Sequence, residues 1–246
     1  MRRSLLIFCL LGAVRASAAT IDDVKAAVNR LEAKHPVRAT LTIDQSVKSA
    51  GRFANETTAR LATAELSHDA AGVSITIPQA LLDKASKEGR AAETDRNAAE
   101  DAIGSIRSLS VVEALNFRDS LLALLRNATV VEENRVAFRG RPARLLVLKL
   151  NAQPRKKSGT IQIGTVKTDD RMSLWIGDDN VPLAAERDEK TTAGFMFIRG
   201  SYSSHTSYTF TRANDRLVLA RTEISEGGSG MGQKVEKRSV HALTIR

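Results

Sequence analysis

EGGSGMGQK, Glu226 to Lys234, places four glycines in nine residues and closes on a lysine. A run of this kind either cradles a phosphate or lets the chain reverse, and the two readings lead to different folds. A P-loop reads G-x-x-x-x-G-K-[ST]. Counted from Gly227, Gly232 fits, but Gln233 holds the lysine place and Lys234 comes one position late, in the place of the magnesium-binding hydroxyl, with Val235 after it. A dinucleotide fingerprint starting at Gly228 and Gly230 fails at its third glycine, where Gln233 stands. Both motifs also require a strand before and a helix after. Here RLVLART (216–222) precedes the loop and the alternating KRSVHALTI (237–245) follows it. The glycines are therefore expected to join two strands, because only glycine enters such turns without strain.

The same pattern extends upstream. ARLLVLKL (143–150) puts Leu146, Leu148 and Leu150 on one face and Leu145 and Val147 on the other. RMSLWI (171–176), GFMFIRG (194–200) and SYTFT (207–211) read as further strands, and VHALTI (240–245) as the last. Turn signals lie at RGRP (139–142), GDDN (177–180) and RAND (212–215). From Thr129 onward the chain reads as an antiparallel meander without helices.

The first half alternates between periods. Thr20 to about His35 reads as a helix capped by Thr20, with Ile21, Val24, Ala27, Val28 and Leu31 on one stripe and Pro36 as its stop. Val37, Ala39, Leu41 and Ile43 then alternate with polar residues, which predicts a half-buried strand. Strands at 60–67 and 73–77 follow, joined by HDAAG. A helical insertion spans about 79–127. Its first part, Gln79 to Ile103, is sparse in apolar residues; its second, VVEALNFRDSLLALLRNA after Ser110, carries a wide apolar face that needs cover.

Residues 1–18 read as an export label: Arg2 and Arg3, then the apolar LLIFCLLGAV, then Ala16-Ser17-Ala18 before cleavage at Ala19. Phe8 ahead of Cys9 does not make a lipid-anchor motif. Cys9 is the only cysteine, so residues 19–246, read as one domain, hold no disulfide. For an exported protein that favours a bacterial periplasm, and the sequons at Asn55 and Asn127 read as accidental. Net charge falls from +9 to +6 as Arg2, Arg3 and Arg15 leave. PRKKSG (154–159) is the one dense basic cluster and has no aromatic within it, which argues against single-stranded nucleic acid. No later stretch is apolar enough to span a bilayer.

Chemistry-bearing clusters are absent from the sequence. His35, His68, His205 and His241 lie far apart; His205 and His241 have room to meet across neighbouring strands, but a satisfied or exposed histidine is the commoner case. Neither a metal-ligand spacing nor a G-x-S-x-G elbow occurs. Glu132–Glu133 and Asp169–Asp170 are adjacent, so on a strand the members of each pair face opposite sides. No catalytic residue, metal or cofactor is expected. The aromatic residues are more informative, because six of them fall between Trp175 and Phe210. They make either an ordinary core or an apolar hollow for a ligand.

RMSLWIGDDNVPLAAERDE (171–189) resembles the late strand pair of the LolA/LolB-like periplasmic lipoprotein carriers. Met172, Leu174 and Ile176, then Val181 and Pro182, carry the likeness, and the order of elements along the chain is similar to that family's. The resemblance implies an α+β fold: a curved antiparallel sheet, or incomplete barrel, with helices over its concave face and an apolar cavity for acyl chains. The function expected is non-enzymatic binding or carriage of a lipid or acyl chain. Leu121, Leu124, Leu125, Trp175, Phe197 and Phe210 are the expected lining, and arginines or lysines would meet an anionic head group. Docking on an envelope protein, or hydrolysis at a site assembled from distant residues, remain the alternatives.

Overall fold

The computed structural model describes residues 21–51, 56–88, 98–108, 111–151, 165–195, 198–230 and 233–246. The export label, Thr20, Ser110, Phe197 and the PRKKSG cluster lie outside them. Helix α1 (Ile21–Asn29) leads into strands β1 (Val37–Gly51), β2 (Glu56–Asp69) and β3 (Gly72–Thr76). Helices α2 (Gln79–Glu88), α3 (Ala98–Ser108), α4 (Val111–Leu115) and α5 (Arg118–Arg126) follow. The chain then runs through β4 (Ala128–Phe138), β5 (Arg141–Leu150), β6 (Thr165–Ile176), β7 (Pro182–Phe195), β8 (Ile198–Ala213), β9 (Arg216–Gly230) and β10 (Gln233–Ile245).

The ten strands make one antiparallel sheet in the order β3-β2-β1-β10-β9-β8-β7-β6-β5-β4, curved and unclosed. Because β1 pairs with β10, with Leu41 opposite Leu243, the early hairpins attach to the far side of the late meander. β3 and β4 therefore end up as opposite edges. The helical insertion between them has to cross the whole concave face.

Two apolar clusters fill that face. In the first, Val24, Ala27 and Val28 of α1 and Leu121 and Leu125 of α5 pack on Leu146, Leu148, Met172, Leu174 and Ile176. In the second, Ala102 and Ile106 of α3 and Val111 and Leu115 of α4 pack on Val37, Ala39, Leu41, Ile43, Ala62, Ala64 and Leu66. The period-2 burial of these strand residues is what alternation in the sequence encodes. Alanines at the floor of the second cluster let α3 lie close.

The glycine run falls between two antiparallel paired strands, β9 and β10, with 231–232 outside the described residues. Gly230 pairs with Gln233, Gly227 and Gly228 sit inside β9, and a strand follows. At RGRP, Arg139 and Gly140 both have positive φ, 51° and 77°, the signature of a two-residue turn matched to strand twist.

Several expectations are corrected. The helix read through VVEALNFRDSLLALLRNA is broken between α4 and α5. The Phe117 N–H donates to the carbonyl of Leu217 on β9 at 2.7 Å, so it is lost to the helical ladder. Within Gln79 to Ile103 the described residues form α2 and the start of α3, which meet where the Ala99 N–H donates to the Glu88 carboxylate, and 89–97 lie outside the described residues. GFMFIRG is not one strand: Gly194 and Phe195 end β7, Ile198 to Gly200 begin β8 and pair back on it, and 196–197 lie outside the described residues. β7 escapes periodicity because its ERDEKTT stretch is polar on both faces. α1 stops at Asn29, short of His35, and Ala33 turns the chain at φ 56°.

That turn is fastened by Asp215 of the RAND loop. Its carbonyl accepts from the Ala33 N–H at 3.1 Å, and its carboxylate accepts from the backbone N–H groups of Lys34 and His35 at 2.6 and 3.3 Å. Burial works to raise the carboxyl's pKa, but these donors outweigh it and hold it at about 2, below the ordinary 3.8. A carboxylate depressed on folding stabilises above its unfolded pKa and ceases to do so as pH falls through the folded value. Asp215→Ala should therefore lower the melting temperature at pH 7. The gap between variant and parent, followed by circular dichroism, should shrink as pH falls from 3.8 toward 2.

Candidate functional site

Between the two clusters the helices meet the sheet at Phe117, whose N–H donates to the Leu217 carbonyl, and stand off it beside that contact. The space left is a cavity of about 580 Å³ over the middle strands, within the range of about 300–1,000 Å³ typical of small-molecule pockets. Its roof is one face of the broken helix: Glu113, Ala114, Phe117, Ser120, Ala123 and Leu124 recur at helical spacing. The neighbouring face of the same segment, Leu115, Leu121 and Leu125, is the part buried in the cores. Leu41, Leu150, Leu219, Ile224 and Leu243 supply the apolar floor. Leu219 and Thr222 both face inward because the β8–β9 register shifts between Thr209 and Phe210.

One end of the floor is polar. Arg187 of β7 reaches diagonally to Asp170 of β6, with Nε and Nη2 donating to the two carboxylate oxygens at 2.9 and 2.7 Å. Both side chains are largely shielded, and Glu189 lies 3.6 Å from the same guanidinium. The pair raises the arginine pKa further above its ordinary value, chiefly through the hydrogen bonds to Asp170 and against the opposing effect of burial. Burial pushes the Tyr208 hydroxyl up as well, although Arg187 and Thr206 oppose it. His241, bonded through Nε2 to Ser239 Oγ at 2.6 Å, has its pKa lowered by burial and then by Lys237. Glu226 accepts from the Tyr202 hydroxyl at 2.9 Å and lies 3.4 Å from Lys237.

The expected lining residues are only partly brought together here. Leu124 lines the cavity, while Leu121 and Leu125 beside it are fully buried behind the roof. Phe210 is buried too, its ring 5.5 Å from that of Phe117. Trp175 is a correction. It lies between Leu174 and Ile176, which take the concave face, so parity turns it to the convex side against Phe138 at 5.6 Å. Phe197 lies outside the described residues. Phe117, Tyr208, Arg187, Asp170, Glu113 and His241 were not anticipated as lining. Asp170 carried the only local signal, since adjacent acids on a strand must face opposite ways. Asp169 indeed meets Arg171 instead, at 3.3 Å.

His205 and His241 do not meet, because β9 separates their strands and they face opposite sides of the sheet. His205 instead joins Asp188 at 2.9 Å and Ser207 at 3.3 Å. That serine–histidine–aspartate chain stands on the convex face, outside the cavity, and is solvated. Among the described residues, no group of three or more His, Cys, Asp or Glu is placed to hold a metal ion, and no helix is long and apolar enough to cross a membrane.

Neither a protein-family model nor a curated protein matches the chain. Among solved structures, a crystal structure of MucB in complex with MucA(peri) is similar at 12% identity, over 92% of this chain and 97% of that one, with a TM-score of 0.17.

The two faces of α5 should respond differently to truncation. Leu121→Ala opens a void in a sealed core and should cost about 2–5 kcal/mol in urea unfolding. Leu124→Ala removes atoms from the wall of an existing cavity and should cost less than half as much.

Proposed function

We propose that this chain is a non-enzymatic binding protein of LolA/LolB-like form, which holds the aliphatic part of an amphiphile between α4–α5 and the centre of the sheet. The observation that carries this reading is the cavity itself. The insertion lies over the middle strands with apolar residues on both roof and floor, yet leaves about 580 Å³ between them. Each methylene taken from water into such a space contributes about 0.8 kcal/mol, so a chain of modest length is retained without any reacting group. The polar end of the floor suits a head group. A bacterial periplasm is the proposed setting, on the strength of the export label and the cysteine-free remainder.

Docking on an envelope protein is a second reading, favoured by β4 alone. This outermost strand exposes Val130 and Val131, but a register shift beside them blunts the edge as a pairing template. The cavity is the stronger feature.

Filling the cavity separates the two. Purified protein should take up a neutral naphthylamine dye with increased fluorescence, and native mass spectrometry should show it leaving the expression host with an added aliphatic mass. Ala123→Trp, which places an indole in the roof, should reduce dye uptake at least about tenfold, a change of about 1.4 kcal/mol. Ser120→Phe serves as the second filling variant if the first does not fold. Dye uptake unchanged in both filled proteins, with no co-purifying mass, would retire the reading.

A further inference from the structure

The chain as a whole is basic, at +9, and on that ground an anionic ligand would be the natural expectation. The cavity has the opposite character. Its fixed charges are Glu113, Asp170, Glu226 and Arg187, with His241 the remaining titratable imidazole. The one guanidinium is already held by both oxygens of Asp170, with Glu189 close by. Lys237 lies beside Glu226 but is not part of the wall. Burial keeps His241 from charging at neutral pH, so it adds no cation. Among the described residues, an anion entering this space would find no free positive partner and at least two carboxylates.

Glu113 is the exception among the acids. It is half-buried in the roof, on α4, and makes no ion pair or side-chain hydrogen bond among the described residues. One helical turn on, Phe117 lines the same roof. Its ring lies 5.5 Å from that of Tyr208, which lines the same cavity as Glu113. A carboxylate without a partner beside two aromatic rings, in a partly dehydrated space, is the chemistry that receives an alkylammonium ion: Coulomb attraction from one side and ring quadrupoles from the other.

The geometry points to an amphiphile with a cationic ammonium head as the ligand this cavity selects, seated between Glu113 and the rings of Phe117 and Tyr208 with its aliphatic chain along Leu124, Leu219 and Leu243. This rests on the binding-protein reading above and adds the charge of the ligand to it.

The test compares three twelve-carbon amphiphiles below their micelle concentrations at pH 7 by titration calorimetry: dodecyltrimethylammonium, dodecanoate and the nonionic dodecyl maltoside. The cavity-filled Ala123→Trp protein is measured alongside, to remove binding to the basic outer surface. The ammonium compound should bind at least about tenfold more tightly than the carboxylate. Glu113→Gln, checked for an unchanged melting curve, should cut that preference to about twofold or less while leaving maltoside affinity where it was. Dodecanoate binding as tightly as the cation, in a manner abolished by the filled cavity, overturns the charge inference and leaves the carrier reading standing. Full preference persisting in Glu113→Gln overturns the assignment to Glu113. Failure of all three amphiphiles to bind overturns the carrier reading, and the inference falls with it.

Discussion

A single backbone hydrogen bond sets the shape of the concave side. The insertion from β3 must reach the opposite edge of a ten-stranded sheet, and it touches down in the middle once, where the Phe117 N–H meets the Leu217 carbonyl. The ring of Phe117 is seated there against Tyr208 and Phe210, both 5.5 Å away. That contact breaks the helix, pins α4 and α5 to β9, and fixes their height above the strands on either side. α5 then meets α1 over one core and α4 closes the other. The cavity is the remainder, bounded by two packed regions and a roof that cannot sink further without displacing Phe117.

Much of this architecture is legible in the sequence because it follows from local periodicity. Val37 to Ile43 alternate, and they are strand residues with one buried face. The leucines of ARLLVLKL and the Met172–Ile176 run do the same, and the context of EGGSGMGQK rules out a helix after the glycines. What escapes is non-local. Nothing near Asn116 or Phe117 announces a break, since neither glycine nor proline is present and the competing acceptor lies a hundred residues downstream. β7 escapes because Glu186 to Thr192 are polar on both faces, one toward solvent and the other toward the polar end of the cavity. Trp175 shows a different failure: its hydrophobicity suggested a lining role, whereas strand parity with Leu174 and Ile176 already excluded one. The pairing of Asp170 with Arg187 depends on the register of β6 against β7, which single-strand patterns do not specify.

The distribution of charge follows from the same geometry. Many of the long basic side chains, such as Lys34, Arg171, Lys234 and Arg238, are exposed, where water solvates them and salt screens them, whereas Arg216 is buried and bonds the His35 carbonyl and His68. The side chains that face inward answer to a poorer dielectric, where an unpaired charge is costly. Arg187 is tolerated there because Asp170 satisfies it through two bonds, and His241 because it stays neutral. Glu113 has no such partner among the described residues and is half-buried in the roof. Net charge read from composition therefore describes the outside of this protein and is a poor guide to what its interior admits.

The pairing of β1 with β10 has a consequence for how the sheet assembles. The segment that joins the β1–β3 hairpins to the β4–β9 meander is the last strand in sequence, so the two portions remain separate ribbons until residues 233–245 are available to stitch them. Closing that seam brings together residues about two hundred positions apart, an entropic demand that local hairpins do not face. This interior strand of the finished sheet is thus expected to be among the last to settle. The hollow takes form only when it does.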